Sequence, residues 1–361
     1  MNNVMNRLPV PTWNRCGVNS APAGAALPAV PAEGFGPAPA AEPILPAGFA
    51  RLDAGFAAFT ESGIGAEADA WLAENANSVC HLAVSEGVEI SEPAVLSAEL
   101  DAAHPNALTY VTVDAAKNSR LTLVQVVRGG AEHGVSANLT RIRAAEGAVV
   151  KLVQVQLLDG NARRWNAVAI ETGTGAKVEQ VRIELGAGTA VCGARAVLDK
   201  NKSEYDLDAI YFGAGDDLLD FNDVSVHTGR DTLCEMHTAG VLSGRADKIL
   251  RGTIDFRRGA VHGVGHESED VLLFSPTVRN RTAPLILCGE EQVEGQHAAS
   301  VGRLDEDKLY YLRSRGLTEA QARRLMVDAR FAPSIEKIPV ESLRDEVRQD
   351  VARRLDHESL D

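Results

Sequence analysis

The sequence predicts a mainly β fold arranged as a parallel β-helix, with helical regions before and after it. Three observations predict this. There is no proline from Asn106 to Ser275, so every backbone N–H in that run stays available to a ladder. The same run breaks into short segments such as "SRLTLVQVV", "VVKLVQVQLL" and "KVEQVRIEL". These alternate apolar and polar residues and are separated by Gly, Asn or Asp, with no helical pattern between them. Aromatic residues make up only 5% of the chain, so the core must be built from Val, Leu, Ile and Ala. Small aliphatics stacked in rows suit a solenoid. A β-sandwich shares this periodicity and stays open at this point, because no clean coil-by-coil repeat is visible.

Residues 1–50 form a Pro/Ala-rich segment that holds nine of the 15 prolines. The stretch "APAGAALPAVPAEGFGPAPAAEPILPAG" reads as a flexible or polyproline-like connector. Residues 51–80 read as a small, weakly helical region with Phe56, Phe59 and Trp71 on one side. Residues 81–303 carry the β-helix core. Residues 304–361 form a helical tail. Its first helix, Asp305 to Arg313, has acidic residues in the first turn and ends at Gly316. Thr318 and Gln321 have the spacing of a capping box for a second helix. After Pro339 a third helix places Leu343, Val347, Val351 and Leu355 at four-residue spacing. The tail is expected to cap the last coil of the solenoid.

The composition excludes several classes. There are 36 basic and 50 acidic residues, a formal charge of −14, which argues against direct nucleic-acid binding. No apolar run is long enough for a signal peptide or a membrane span, so a cytoplasmic protein is expected. The five cysteines, Cys16, Cys80, Cys192, Cys234 and Cys288, are scattered without a CxxC and read as reduced thiols. Cys192 and Cys234 fall in strand patterns and read as small core residues.

Motifs for familiar chemistries are missing: there is no GxxxxGK[ST], GxSxG, HExxH or EF-hand pattern. His262 and His266 are an H-x3-H pair, but the glycines between them argue for a turn rather than a helical metal site. Asp216, Asp217, Asp220 and Asp223 lie close in sequence. Such carboxylates serve acid/base work or Ca²⁺ binding in β-helix carbohydrate enzymes, and that is the alternative function from another class. His297 stands alone in a polar strand. A neutral imidazole can bind iron and exchange a proton. Cys288 lies nine residues upstream and carries the thiol that iron–sulfur clusters favour.

The stretch from Asp220 to Phe331 resembles the SufB/SufD family of iron–sulfur cluster assembly proteins. It opens with "DFNDVSVH", where His227 stands at a histidine that closes a similar strand. It continues through "AGVLSGRADKILRGTIDFRRGA". Then comes "APLILCGEEQVEGQHAASVGRLDEDKLYYLRSRGLTEAQARRLMVDARF", which parallels the family's Pro-Leu-x-Ile strand, "HGATVG" turn and "LFYLRSRG" helix. "HAAS" replaces "HGAT", and Gly295 stands where many SufD-type chains have a cysteine.

The resemblance implies a right-handed parallel β-helix with flanking helices. It also implies a non-catalytic scaffold subunit that pairs through its β-helix with a SufB-type chain or with itself. His297 takes the histidine position at the cluster-assembly interface and is the candidate metal ligand. The tail, with Tyr310, Tyr311, Arg313, Arg315 and Gly316, would dock a SufC-type ABC ATPase. No cofactor is expected to be held tightly by the isolated chain, the iron–sulfur cluster being transient in the complex. Aligning Thr282 with the family's threonine puts Arg279 at the assembly cysteine of SufB-type chains. Together with "YYLRSRG", this makes the chain most like SufD. A divergent SufB-type homodimer is the alternative within the family.

Overall fold

The computed structural model describes residues 5–12, 14–56, 59–159, 161–303 and 306–358. Trp13 of the opening stretch, and Leu304 and Asp305 at the start of the tail, lie outside them.

Two sheets run side by side. The first holds, in spatial order, β1 (Phe49–Arg51), β2 (Ser78–Val84), β4 (Asn106–Ala115), β6 (Val135–Ala144), β8 (Arg163–Thr172), β10 (Thr189–Leu198), β12 (Leu218–His227), β14 (Asp247–Phe256) and β16 (Arg279–Cys288). The second holds β3 (Ala94–Leu100), β5 (Arg120–Gly129), β7 (Val149–Leu158), β9 (Lys177–Leu185), β11 (Glu204–Gly213), β13 (Leu233–Leu242), β15 (Val264–Leu273) and β17 (Glu294–Arg303). From β2 onward the chain alternates between sheets, and from β4 onward each strand pairs in parallel with the one two before it. This is a parallel β-solenoid, and the parallel ladders exclude the sandwich. Arg163, Thr189 and Leu218 stack in register, 26 and 29 residues apart. That uneven spacing hides the repeat from the sequence. The corners are tight. At Gly244 (φ 60°) a Cβ would stand 2.7 Å from the backbone N of Gly215 in the preceding coil.

The lumen between the sheets is filled by rows of aliphatics such as Val111, Ile142, Ile170 and Ala196. Cys192 and Cys234 are fully buried, and burial pushes both thiols well above their ordinary range. A polar spine crosses this core. Gln154 Nε2 donates to Gln125 Oε1 at 2.8 Å and to Asn166 Oδ1 at 3.0 Å, and Gln180 Nε2 donates to Gln154 Oε1 at 3.0 Å. Further along, Arg182 grips Asp223 through two 2.7 Å bonds across the lumen.

Both outer faces are covered as well, as strands of parallel sheets require. The Pro-rich segment, expected from its composition to be a connector without a core, lies along the outer face of the first sheet. Leu8 and Val18 pack on Ile249, and Trp165 Nε1 donates to the Ala25 carbonyl at 3.2 Å. Near its end Ala41 N donates to Ser97 O at 2.9 Å, and Ile44 pairs with Val95, so the segment closes the edge of β3. β1 does the same for β2. Helix α1 (Ala66–Asn75) packs above β4 and β6. It is shorter than expected, because Gly65 sits at φ 115° ahead of it. Phe56 and Phe59 stack on each other at 5.0 Å, whereas Trp71 meets Phe35, so the three aromatics do not share one helical side.

The tail comprises α2 (Glu306–Ser314), α3 (Glu319–Ile335) and α4 (Glu341–Glu358). It does not cap the last coil. Instead α3 and α4 turn back along the outer face of the second sheet. Val327, Phe331, Ile335, Leu343, Val347, Val351 and Leu355 pack there against Val124, Val153, Val181, Ile183 and Ile210. The physical reason is the outer row of these strands, which is as apolar as the lumen and must leave water. Arg128 holds Glu346, and Lys337 holds Asp208, at the margins. Phe331 is completely buried. Phe331→Ala should cost about 3–5 kcal/mol, read as a fall in the denaturant midpoint of the whole chain. An unchanged midpoint would show that the tail adds nothing to the solenoid's stability.

Candidate functional site

A strand at the end of a sheet exposes a row of unpaired N–H and C=O groups. At the N-terminal end of the solenoid, β1 and residues 40–44 cover both rows. At the C-terminal end, β16 and β17 each have a neighbour on one side only. Every residue of β17 is exposed, although it is rich in small and apolar residues such as Ala298, Ala299 and Val301. The lumen therefore opens at this end.

His297 lies in that mouth. Parallel register sets it beside Glu267 of β15, which sits beside Met236 of β13. Ladder neighbours keep the same facing, so His297 takes the lumen side with Glu267. Gly295 supports this orientation, because a Cβ there would meet Ile286 at 3.0 Å and Phe256 at 3.1 Å, both lumen side chains. A side chain larger than hydrogen at position 295 would have to push them aside.

One coil inside, the mouth is charged. Lys248 and Glu269 form an ion pair, both fully out of water. Tyr211 Oη donates to Glu269 Oε1 at 3.1 Å, and Thr282 Oγ1 donates to Oε2 at 2.6 Å. Burial pushes the Lys248 ammonium down, and Glu269 opposes that shift. Glu267 has no such partner among the described residues. Burial pushes its carboxyl up to about 7, with the charges of Asp223 and Glu269 adding to the effect and Lys248 opposing it.

Cys288 ends β16 and is exposed, in register with Phe256. Gly295 faces Ile286, so Cys288 lies two residues to one side of that pair and His297 two residues to the other. The two are on the same coil but are not brought together. Among the described residues, no group of three or more His, Cys, Asp or Glu side chains is arranged to hold a metal. His297 offers one imidazole and needs further ligands from elsewhere. Arg279, at the start of β16, reaches Asp247 at 3.6 Å.

The four aspartates do not form a site. Asp216 is bound by exposed Arg245, and Asp217 Oδ2 accepts from Ala214 N at 2.9 Å. Asp220 points outward under the N-terminal segment, where Arg251 Nη1 (2.6 Å) and Asn6 hold it. Asp223 points into the lumen toward Arg182. Three residues along a strand reverse the face, which separates the two buried carboxylates. His262 and His266 likewise engage separate carboxylates, Asp231 at 3.0 Å and Glu235 at 2.8 Å.

In the tail, Tyr310 and Tyr311 are 77% and 55% exposed. Both face solvent, although one was expected to turn toward a cap. The Arg315 guanidinium lies 5.2 Å from the Tyr311 ring centre. Gly316 takes φ 97° to end α2, and Thr318 and Gln321 form the expected reciprocal cap of α3. Arg313 and Arg323 both reach Glu319, at 3.7 and 2.7 Å, and Arg324 reaches Asp328 at 3.7 Å.

Residues 99–330, well over half of the chain, match the family model described as "SUF system FeS cluster assembly, SufBD core domain". The chain belongs to the SufBD family. Within that family it is most like SufD. It is 29% identical over 150 residues to the iron–sulfur cluster assembly protein SufD of Bacillus subtilis, covering 42% of this chain and 34% of that protein. It is 27% identical over 115 residues to SufD of Escherichia coli, covering 32% and 27%. It is 39% identical over 77 residues to the SufBD family protein PH1385 of Pyrococcus horikoshii, covering 21% and 17%. Each match spans about a third or less of the relative's length. The family match includes His227 and His297 as well as Glu267, which the sequence motifs did not single out. Only coil-to-coil register reveals Glu267. No helix among the described residues is long and apolar enough to cross a membrane.

His227, which closes β12, is fully buried in this SufBD core. Its Nε2 is 3.0 Å from Ser225 Oγ, its Nδ1 is 2.8 Å from Thr232 Oγ1, and its ring packs on Phe256. Burial pushes its pKa down to about 4. An unfolded histidine titrates near 6.5, so the stabilising neutral form counts in full above about pH 6.5. That contribution, roughly 3 kcal/mol, is lost as pH falls toward 4. Thermal melts of His227→Gln should therefore depend less on pH between 6.5 and 4 than those of the wild type. Parallel curves would show that His227 does not titrate differently on folding.

Proposed function

We propose that this chain is the SufD-type, non-catalytic subunit of a cytoplasmic iron–sulfur cluster assembly scaffold. The open C-terminal end of the solenoid is the observation that carries this reading. It combines unpaired strand edges, an exposed and partly apolar last coil, and a lumen mouth bearing His297. A SufB-type chain laid against this end would cover the edges and add ligands to the lone imidazole. Iron and sulfide are the cargo. His297 holds iron through a neutral ring nitrogen, and the wall of small residues around it leaves room for the facing chain. Arg279 can neither bind iron nor carry sulfur, which favours a SufB-type partner over a second copy of this chain.

Replacing His297 by alanine tests the assembly role. The residue is exposed, so folding stability should change by no more than about 0.5 kcal/mol. Iron and sulfide retained by the complex co-expressed with its partners should fall at least about tenfold. Wild-type retention would remove His297 from the site.

The tail is the proposed dock for a SufC-type ATPase. Tyrosine and arginine dominate binding hot spots, and Tyr310, Tyr311, Arg313 and Arg315 lie outside the packed face of α3 and α4. Deleting the whole tail would strip the outer face of the second sheet, so point substitutions give the cleaner test. Tyr310→Ala with Tyr311→Ala should abolish ATPase pull-down while leaving the melting temperature unchanged. Full retention of the ATPase by the double variant would move the dock elsewhere.

A further inference from the structure

The charges in the mouth do not balance. Lys248 is committed to Glu269 there, and Arg182 and Asp223, deeper in the lumen, are committed to each other. Glu267 is left over. It is 7% exposed, and no donor among the described residues reaches it. Its place is nevertheless built into the fold. A Cβ on Gly252, across the lumen in β14, would fall 1.8 Å from Glu267 Oε1. A side chain at position 252 would have to push the carboxylate aside. A carboxylate without protein donors and with little access to water is costly to keep ionised, and either a proton or a cation relieves that cost. One coil outward in the same ladder stands His297, exposed, with its ring facing the same way.

We infer that Glu267 and His297 together form a half-site for a divalent transition-metal ion in the solenoid mouth. Carboxylate and imidazole are a fitting pair of donors for such an ion. Strands about 4.8 Å apart let two side chains converge on one ion with bonds of about 2.1 Å. Lys248 gives Glu267 only part of the positive charge it needs, because Glu269 and Thr282 already hold its ammonium, and the ion supplies the rest. The remaining positions open outward, to water in the single chain and to the facing chain in a complex. Naming the ion as ferrous iron rests on the cluster-assembly reading, whereas the existence of the half-site does not.

The test is titration of the full-length chain with Co²⁺, a spectroscopic stand-in for Fe²⁺, followed by its visible absorption. The wild type should bind one ion through oxygen and nitrogen donors, without a thiolate charge-transfer band. Glu267→Gln and His297→Ala should each weaken binding at least about tenfold. Gly252→Ala, which keeps both ligands but displaces the carboxylate, should weaken it too. Cys288→Ser should bind as the wild type does, and circular dichroism should show all variants folded. No binding by the wild type, binding by Glu267→Gln equal to wild type, or loss of the ion in Cys288→Ser alone would each overturn the half-site. If Co²⁺ binding depends on both residues, the half-site stands. A Glu267→Gln complex that then retained iron and sulfide at wild-type levels would overturn the assignment of ferrous iron to it.

Discussion

A solenoid passes its backbone hydrogen bonds from coil to coil, and at each end the passing has to stop. Everything notable in this molecule depends on how the two ends are handled. At the first coil, β1 and residues 40–44 add short strand-like pieces to both sheets, and the prolines around them discourage further pairing. At the last coil no further strand is added among the described residues. β17 is exposed along its whole length, including its small and apolar residues Ala298, Ala299 and Val301. One end is finished and the other leaves its ladder groups unpaired among the described residues.

The same coil-to-coil register organises the lumen. A residue's neighbours are set by the ladder, so polar groups can be threaded through an aliphatic core without being stranded. The amide spine from Gln125 to Gln180 links its members by stacking, although the Gln125 Nε2 donor is left without a partner, and Arg182 with Asp223 closes one charge pair across the lumen. Buried pairs of this kind add little net stability, because desolvation offsets attraction. Their value lies in fixing which coil sits on which. Charge is also present near the open end, where Lys248, Glu267 and Glu269 gather within two coils of the edge.

The β-helix was legible because a proline-free run, strand-length alternation and a scarcity of aromatics all point one way. The covering of the outer faces was less so. Val124, Val153 and Val181 lie on the side opposite the lumen residues of the same strands, and a strand apolar on both sides still reads as strand. The sequence leaves open whether the tail closes the end or lies along the side. The N-terminal segment was harder still. Leu8, Ala25 and Phe35 are buried singly, without any period, in a stretch whose composition suggests no core. His297 was found through its resemblance to a known turn. Glu267 was not found, because uneven coil lengths conceal which residues stack.

The N-terminal segment also changes what kind of object the solenoid is. Coils that touch only their neighbours can peel away one at a time from an unprotected end. Here the chain runs lengthwise over them. Near its start, the Gly17 and Val18 carbonyls accept hydrogen bonds from Arg281 in the last coil and Arg251 one coil earlier. Its further end is stitched to β3 in the first coil. Loosening any coil along the way strains a tie anchored at both extremities, so fraying of the exposed end is transmitted along the molecule's full length. A repeat structure that would otherwise melt piecemeal is bound into one cooperative unit, and its least protected coil borrows the stability of its most protected one.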